Sequence, residues 1–200
     1  MVPAVIAVRD ACRKTFPTTD TFTLQQVSNA IEAYTQIDDV RFLGYNVSPT
    51  NPIWGEFLRF TSFLPYRGRQ ELVEIRYANH LPVEWRRFVV TKELCHAMDS
   101  RSGAHTVSAQ AVTTLITTLA LYSSVQSGSA LGMAVNAERL AEVCAMEILL
   151  PFSVRQRMIS DGSLANLGAA GIARNLDLPD TMVGQVFDSS YMQIAATVFP

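Results

Sequence analysis

Apolar positions recur at helical spacing over roughly the first forty residues. Residues 2–8 form an apolar run that meets Arg9 and Asp10 at once, and read as the buried face of a first helix extending toward Lys14, with Pro3 in its first turn. Pro17, Thr18, Thr19 and Asp20 break that helix. Thr21 or Thr23 can cap a second one, in which Leu24, Val27, Ile31 and Tyr34 share a face. After Asp38 and Asp39 the pattern changes. Val40, Phe42, Tyr45 and Val47 lie in a β-branched and aromatic run, residues 57–64 form a second, and Val73, Ile75 and Tyr77 alternate with Glu74 and Arg76. Pro65, Tyr66, Arg67 and Gly68 supply a turn. These runs predict a small antiparallel three-stranded sheet joined by short connections.

Helical character returns after Pro82. Residues 85–98 hold one helix, 107–123 a second, and a Ser/Gly-rich connection follows over 124–132. Asn136 is placed to cap a helix reaching Leu150, and Pro151 stops it or starts the next. Two short helical segments, split near Leu178, Pro179 and Asp180, complete the tail. The fold class is therefore α+β, mainly helical with a small sheet. One domain spans 1–200: helices over 1–38, a core over 39–151, and short helices over 152–200.

Composition narrows the function classes. Sixteen basic and 18 acidic residues leave a net charge of −2, so nothing calls for nucleic acid or an anionic membrane as partner. Cys12, Cys95 and Cys144 are too few and too scattered for a disulfide framework or a C-x-x-C zinc site. The apolar start lacks a preceding basic segment and a cleavage site, so it does not read as a signal peptide, and a cytoplasmic location is expected. The stretch 102–137 carries no Asp, Glu, Lys or Arg, yet its threonines, Ser108, Gln110, Gly128 and Gly132 interrupt it too often for a membrane span. It reads as a buried helix of the domain, or as a subunit interface in a homo-oligomer.

Two segments carry the chemistry. The first is Arg86-Arg87-Phe88-Val89-Val90-Thr91-Lys92-Glu93-Leu94-Cys95-His96. The second runs from Glu138 through Ala141, Glu142, Cys144, Ala145 and Leu149 to Pro151. Together they resemble the ImmA/IrrE family of metallo-endopeptidase-like, zincin-like proteins, whose signatures read roughly R-R-F-x-x-A-H-E-L-x-H and E-x-x-A-N/D-x-F-A-x-x-L-L-M-P. The resemblance extends from about Val40 to Val186. Arg87, Phe88, Glu93, Leu94 and His96 match the first signature; Glu138, Ala141, Ala145, Leu149 and Pro151 match the second. Lys92 departs from it, standing where the family has its first metal-binding histidine. Thr91, Glu142 and Cys144 depart as well.

The intact motif works because two histidines at i and i+4 lie one turn apart on one helix face and reach one Zn²⁺. The resemblance implies His96 and Glu138 as the remaining metal ligands and Glu93 as general base. A lysine ammonium has no lone pair, and stripping its proton at neutral pH works against about three to four pKa units. Two ligands fall one short of the usual catalytic set, so no cofactor is expected, with zinc as the alternative. His80 and His105 lack the spacing to fill in. Glu93 and His96, at i and i+3, could also act as an acid/base pair without metal.

Lys92 either projects to solvent or places its ammonium near the metal position and pairs with Glu138, and with Glu93 as well. The resemblance then implies a degenerate peptidase, a pseudoenzyme acting by binding a protein or peptide. A transcriptional regulator of a phage or mobile element is the kind of partner it points to. The alternative is an active metallo-endopeptidase with an altered ligand set that cleaves a regulatory protein.

Overall fold

The computed structural model describes residues 1–99 and 130–199. Helices α1 (Val2–Thr15) and α2 (Leu24–Tyr34) lead into strands β1 (Asp39–Tyr45), β2 (Gly55–Leu64) and β3 (Gly68–Ala78). Helix α3 (Val83–Ala97) follows. After the undescribed segment come α4 (Ala130–Leu149), α5 (Phe152–Ser160), α6 (Ser163–Leu176), α7 (Asp180–Val186) and α8 (Ser189–Val198). The architecture is mixed α+β. The predicted helix over 107–123, its role as a subunit interface, and most of the connection after it lie outside the described residues.

Pro3 sits in the first turn of α1, where a missing N–H costs nothing. Val5, Val8 and Cys12 form its buried stripe. Of the two threonines that could cap α2, Thr23 does so: its side chain accepts from the Gln26 N–H, and the Gln26 side chain accepts from the Thr23 N–H.

The sheet departs from the all-antiparallel expectation. β2 and β3 form a hairpin, but β1 lies on the other side of β3 and runs parallel to it, with Val40 opposite Val73 and Phe42 opposite Ile75. Alternation of period two cannot distinguish the two pairings, because side chains alternate between faces in both. What decides it is the 46–54 link, which starts and ends at the same end of the sheet and steps past the end of β3. It is pinned there by Asn79 N–H donating to Tyr45 O and Ala78 N–H donating to Trp54 O, both at 2.9 Å. The hairpin turn uses left-handed backbone at Tyr66 (φ 69°) and at Gly68 (φ 71°), where glycine carries no steric cost.

Val73 and Ile75 on β3 turn toward α3, which also packs against α4. Enclosure on both sides explains why Phe88–Ala97 is almost continuously buried, polar residues included. Asn136 does not cap a helix; it lies inside α4, which already runs from Ala130. Gly132 is thus accommodated within the helix, at a cost of about 1 kcal/mol relative to alanine. The tail holds four helices rather than two. Pro151 N-caps α5, Gly162 (φ 80°) starts α6, Gly168 (φ 66°) kinks it, and the expected break near Leu178 separates α6 from α7.

A buried ion network ties this tail to the rest. Glu147 on α4 accepts from Arg9 of α1 at 3.0 Å and from Arg155 of α5 at 2.6 Å, and also from the Phe152 N–H at 3.0 Å. Arg155, fully buried, donates to Val186 O at the end of α7 and lies over the Phe152 and Tyr191 rings. Removing one partner of such a network strands buried charge. Glu147→Ala is expected to cost about 3–5 kcal/mol in urea unfolding. Combining Glu147→Leu with Arg9→Met and Arg155→Met should recover much of that loss, since an apolar replacement of matching shape leaves nothing uncompensated.

Candidate functional site

The site forms where α3 faces α4 beneath the edge strand β2. On α3, Lys92 and His96 are one turn apart and so project from one face, with Glu93 beside them. On α4, Glu138 meets both. Lys92 Nζ lies 2.7 Å from Glu138 Oε2 and 3.1 Å from Glu93 Oε1. His96 Nε2 lies 3.0 Å from Glu138 Oε1. One carboxylate thus bridges the ammonium and the imidazole. The structure brings together all four residues singled out from the sequence. The side chains are well covered: Lys92 is 19% exposed, Glu138 22%, Glu93 7% and His96 4%.

Burial works against charge on Lys92, but the two carboxylates outweigh it and hold the ammonium above the ordinary lysine range. Burial also opposes charge on Glu138. The hydrogen bond from His96 and the Lys92 charge reverse that effect and bring its carboxyl down to about 2. Glu142, one turn further along α4, shows the opposite balance. Burial dominates and raises its carboxyl, with Lys92 pulling the other way and Glu138 adding to the rise. The lysine therefore neutralises a crowd of carboxylates rather than a single partner.

Strand β2 forms the roof of the site. A Cβ on Gly55 would come within 2.5 Å of Val89 Cγ1 and 3.0 Å of Glu93 Cγ, so only glycine lets the strand lie this close. Phe57 stacks on His96, their rings 6.1 Å apart and nearly parallel. Arg59 donates to Ala97 O at 3.1 Å and so satisfies a carbonyl at the C-terminal end of α3. None of these three stood out in the sequence, because their roles depend on strand register. The sign that could have found Gly55 is a glycine opening a strand next to a motif-bearing helix, and glycines at strand ends are common.

Arg87 has a part that the motif spacing did not reveal. Its guanidinium donates to Phe22 O at 2.8 Å, to Thr21 Oγ1 at 3.0 Å, and to Leu176 O and Asp177 O at the end of α6. One side chain thereby holds the start of α2 and the end of α6 against the motif helix. Arg86 donates to Leu81 O and lies over the Tyr77 ring. Cys95 is completely buried and its thiol is raised well above the usual range by that burial, as fits a packing residue. His80 is exposed in the turn between β3 and α3, and His105 lies outside the described residues.

Chemically, the arrangement can hold positive charge and orient an imidazole. Among the described residues, no group of three or more His, Cys, Asp or Glu side chains is placed to hold a metal ion. No described helix is long and apolar enough to cross a membrane. No family model matches the chain, and no curated protein or solved structure matches it.

The two opposite carboxyl shifts give a sign test. Glu138 is depressed, so the stability from its ionised form is complete above about pH 4.5 and is lost as pH falls from there toward 2. The loss amounts to about 3 kcal/mol at most, and Glu138→Gln should flatten the stability curve across that window. Glu142 is raised, so its ionisation erodes stability as pH climbs above its ordinary value. Glu142→Gln should therefore be more stable than wild type at pH 7. Urea midpoints measured from pH 2 to 8 check both.

Proposed function

We propose that this chain is a zincin-like protein of the ImmA/IrrE kind that has lost peptidase chemistry and acts by binding another protein. The observation that carries the reading is the Lys92 ammonium, 2.7 Å from Glu138 Oε2, at the position where the resemblance would put a histidine ligand. The metal the family implies is zinc, and the residues do not fit it. Lys92 offers no lone pair and its shift keeps it protonated, which leaves His96 and Glu138 where a catalytic zinc wants three protein ligands. Glu93 is engaged by the same ammonium, so its carboxylate is committed to an ion pair rather than aimed at a water.

The partner in this reading is a protein or peptide, with a transcriptional regulator the kind the resemblance points to. The near-balanced charge, −2 overall, argues against nucleic acid and against an anionic lipid surface. A cytoplasmic location goes with this reading, on the sparse, unpaired cysteines. One observation favours the alternative of an active metallo-endopeptidase with an altered ligand set: His96 Nε2 still lies 3.0 Å from Glu138 Oε1, as two members of one ligand set would.

A peptidase assay separates the two. Purified protein, with and without added zinc, is incubated with an unfolded protein substrate beside Glu93→Gln and His96→Ala. The binding reading expects wild type and both variants to be indistinguishable. Hydrolysis by wild type that both substitutions abolish would establish the peptidase instead.

A further inference from the structure

Two carboxylates, one from each helix, converge on one fixed ammonium. Glu93 Oε1 and Glu138 Oε2 lie within 3.1 Å of Lys92 Nζ. Glu142 shares the α4 face with Glu138, one turn away, and burial raises its carboxyl against the pull of the Lys92 charge. Without the lysine, a largely buried interface between two helices would hold two acids and one imidazole, with a third acid, Glu142, one turn along α4. Like charges so placed repel strongly, and desolvation adds to the cost.

We infer that Lys92 Nζ is the resident cation of this site: a tethered ammonium that neutralises Glu93 and Glu138 and joins α3 to α4 in the place a divalent ion would take. The inference shares its site with the reading above but rests on it only for the identity of the ion replaced. An ammonium and a divalent ion satisfy carboxylates by different means. The ion accepts lone pairs from several oxygens at once, whereas the ammonium donates up to three hydrogen bonds and contributes one charge. Here two of those donors already reach two different carboxylates, one on each helix. Because the cation is covalently attached, it needs no capture from solution and no chelator removes it.

A second consequence is a latent metal site. His96 lies on the same face as position 92, one turn on, and its Nε2 is already held beside Glu138. A histidine at position 92 would remove the ammonium and add a third donor, completing a set of two imidazoles and a carboxylate.

The test is thermal unfolding of the full chain, in EDTA and in zinc, with zinc content measured after gel filtration. Wild type is expected to show the same Tm in both media and to retain no stoichiometric zinc. Lys92→Met should lose about 10 °C in both. Lys92→His should be destabilised in EDTA, regain Tm in zinc and carry one zinc per chain, and adding His96→Ala should abolish that gain. If Lys92→Met does not fold, Lys92→His compared in the two media carries the test alone. The inference is overturned by wild-type stability in Lys92→Met, by stoichiometric zinc in wild type, or by Lys92→His that zinc does not stabilise. Metal-independent hydrolysis by wild type would sink the binding reading while the Tm series still stood, so the two failures are distinguishable.

Discussion

The contact between Lys92 and Glu138 constrains most of what surrounds it. Helix α3 is enclosed by the sheet on one side and α4 on the other, and an enclosed helix ordinarily carries apolar residues all round. This one carries Lys92, Glu93 and His96 within little more than one turn, the last two buried and the lysine largely covered. Their burial is tolerable only because a carboxylate from α4 arrives at 2.7 Å from one and 3.0 Å from another. The pairing also explains the approach of β2, whose Gly55 lets the strand descend onto Glu93 and whose Phe57 covers the imidazole.

The same rule operates a second time at the junction of α1, α4 and α5. There Glu147 takes two arginines and a backbone N–H, and Arg155 is completely buried under aromatic rings. Helix α4 therefore bears two acids that each tie it to other helices, Glu138 to α3, and Glu147 to α1 and α5. Between them lie Ala141, Cys144 and Ala145, small residues buried in the core that allow the close approach on which short ion pairs depend. Charged contacts fix the alignment of α4 at both points, and apolar packing fills the space between.

Much of the local structure was legible in the chain. The capping pair Thr23 and Gln26, the proline in the first turn of α1 and the three strand runs each depend on residues close in sequence. The departures from local pattern also have physical causes. Asn136 resembles a helix cap, but α4 already runs from Ala130, so the residue sits inside the helix rather than at its start. The parallel pairing of β1 with β3 was invisible because alternation is the same in both strand directions. The members of the candidate site were legible by spacing; Gly55, Phe57, Arg59 and Glu142 were not, since only register and helix rotation bring them there.

The sequence alone determined that position 92 bears an ammonium where a lone pair would be needed to bind metal, because that is a property of the side chain and not of its surroundings. It also placed Lys92 and His96 on one helix face, since the spacing of four residues does so in any α-helix. Only the tertiary structure decided which way the lysine turns and what it meets. That outcome depends on α4 crossing α3 with Glu138 at the contact, and long-range packing sets such a crossing.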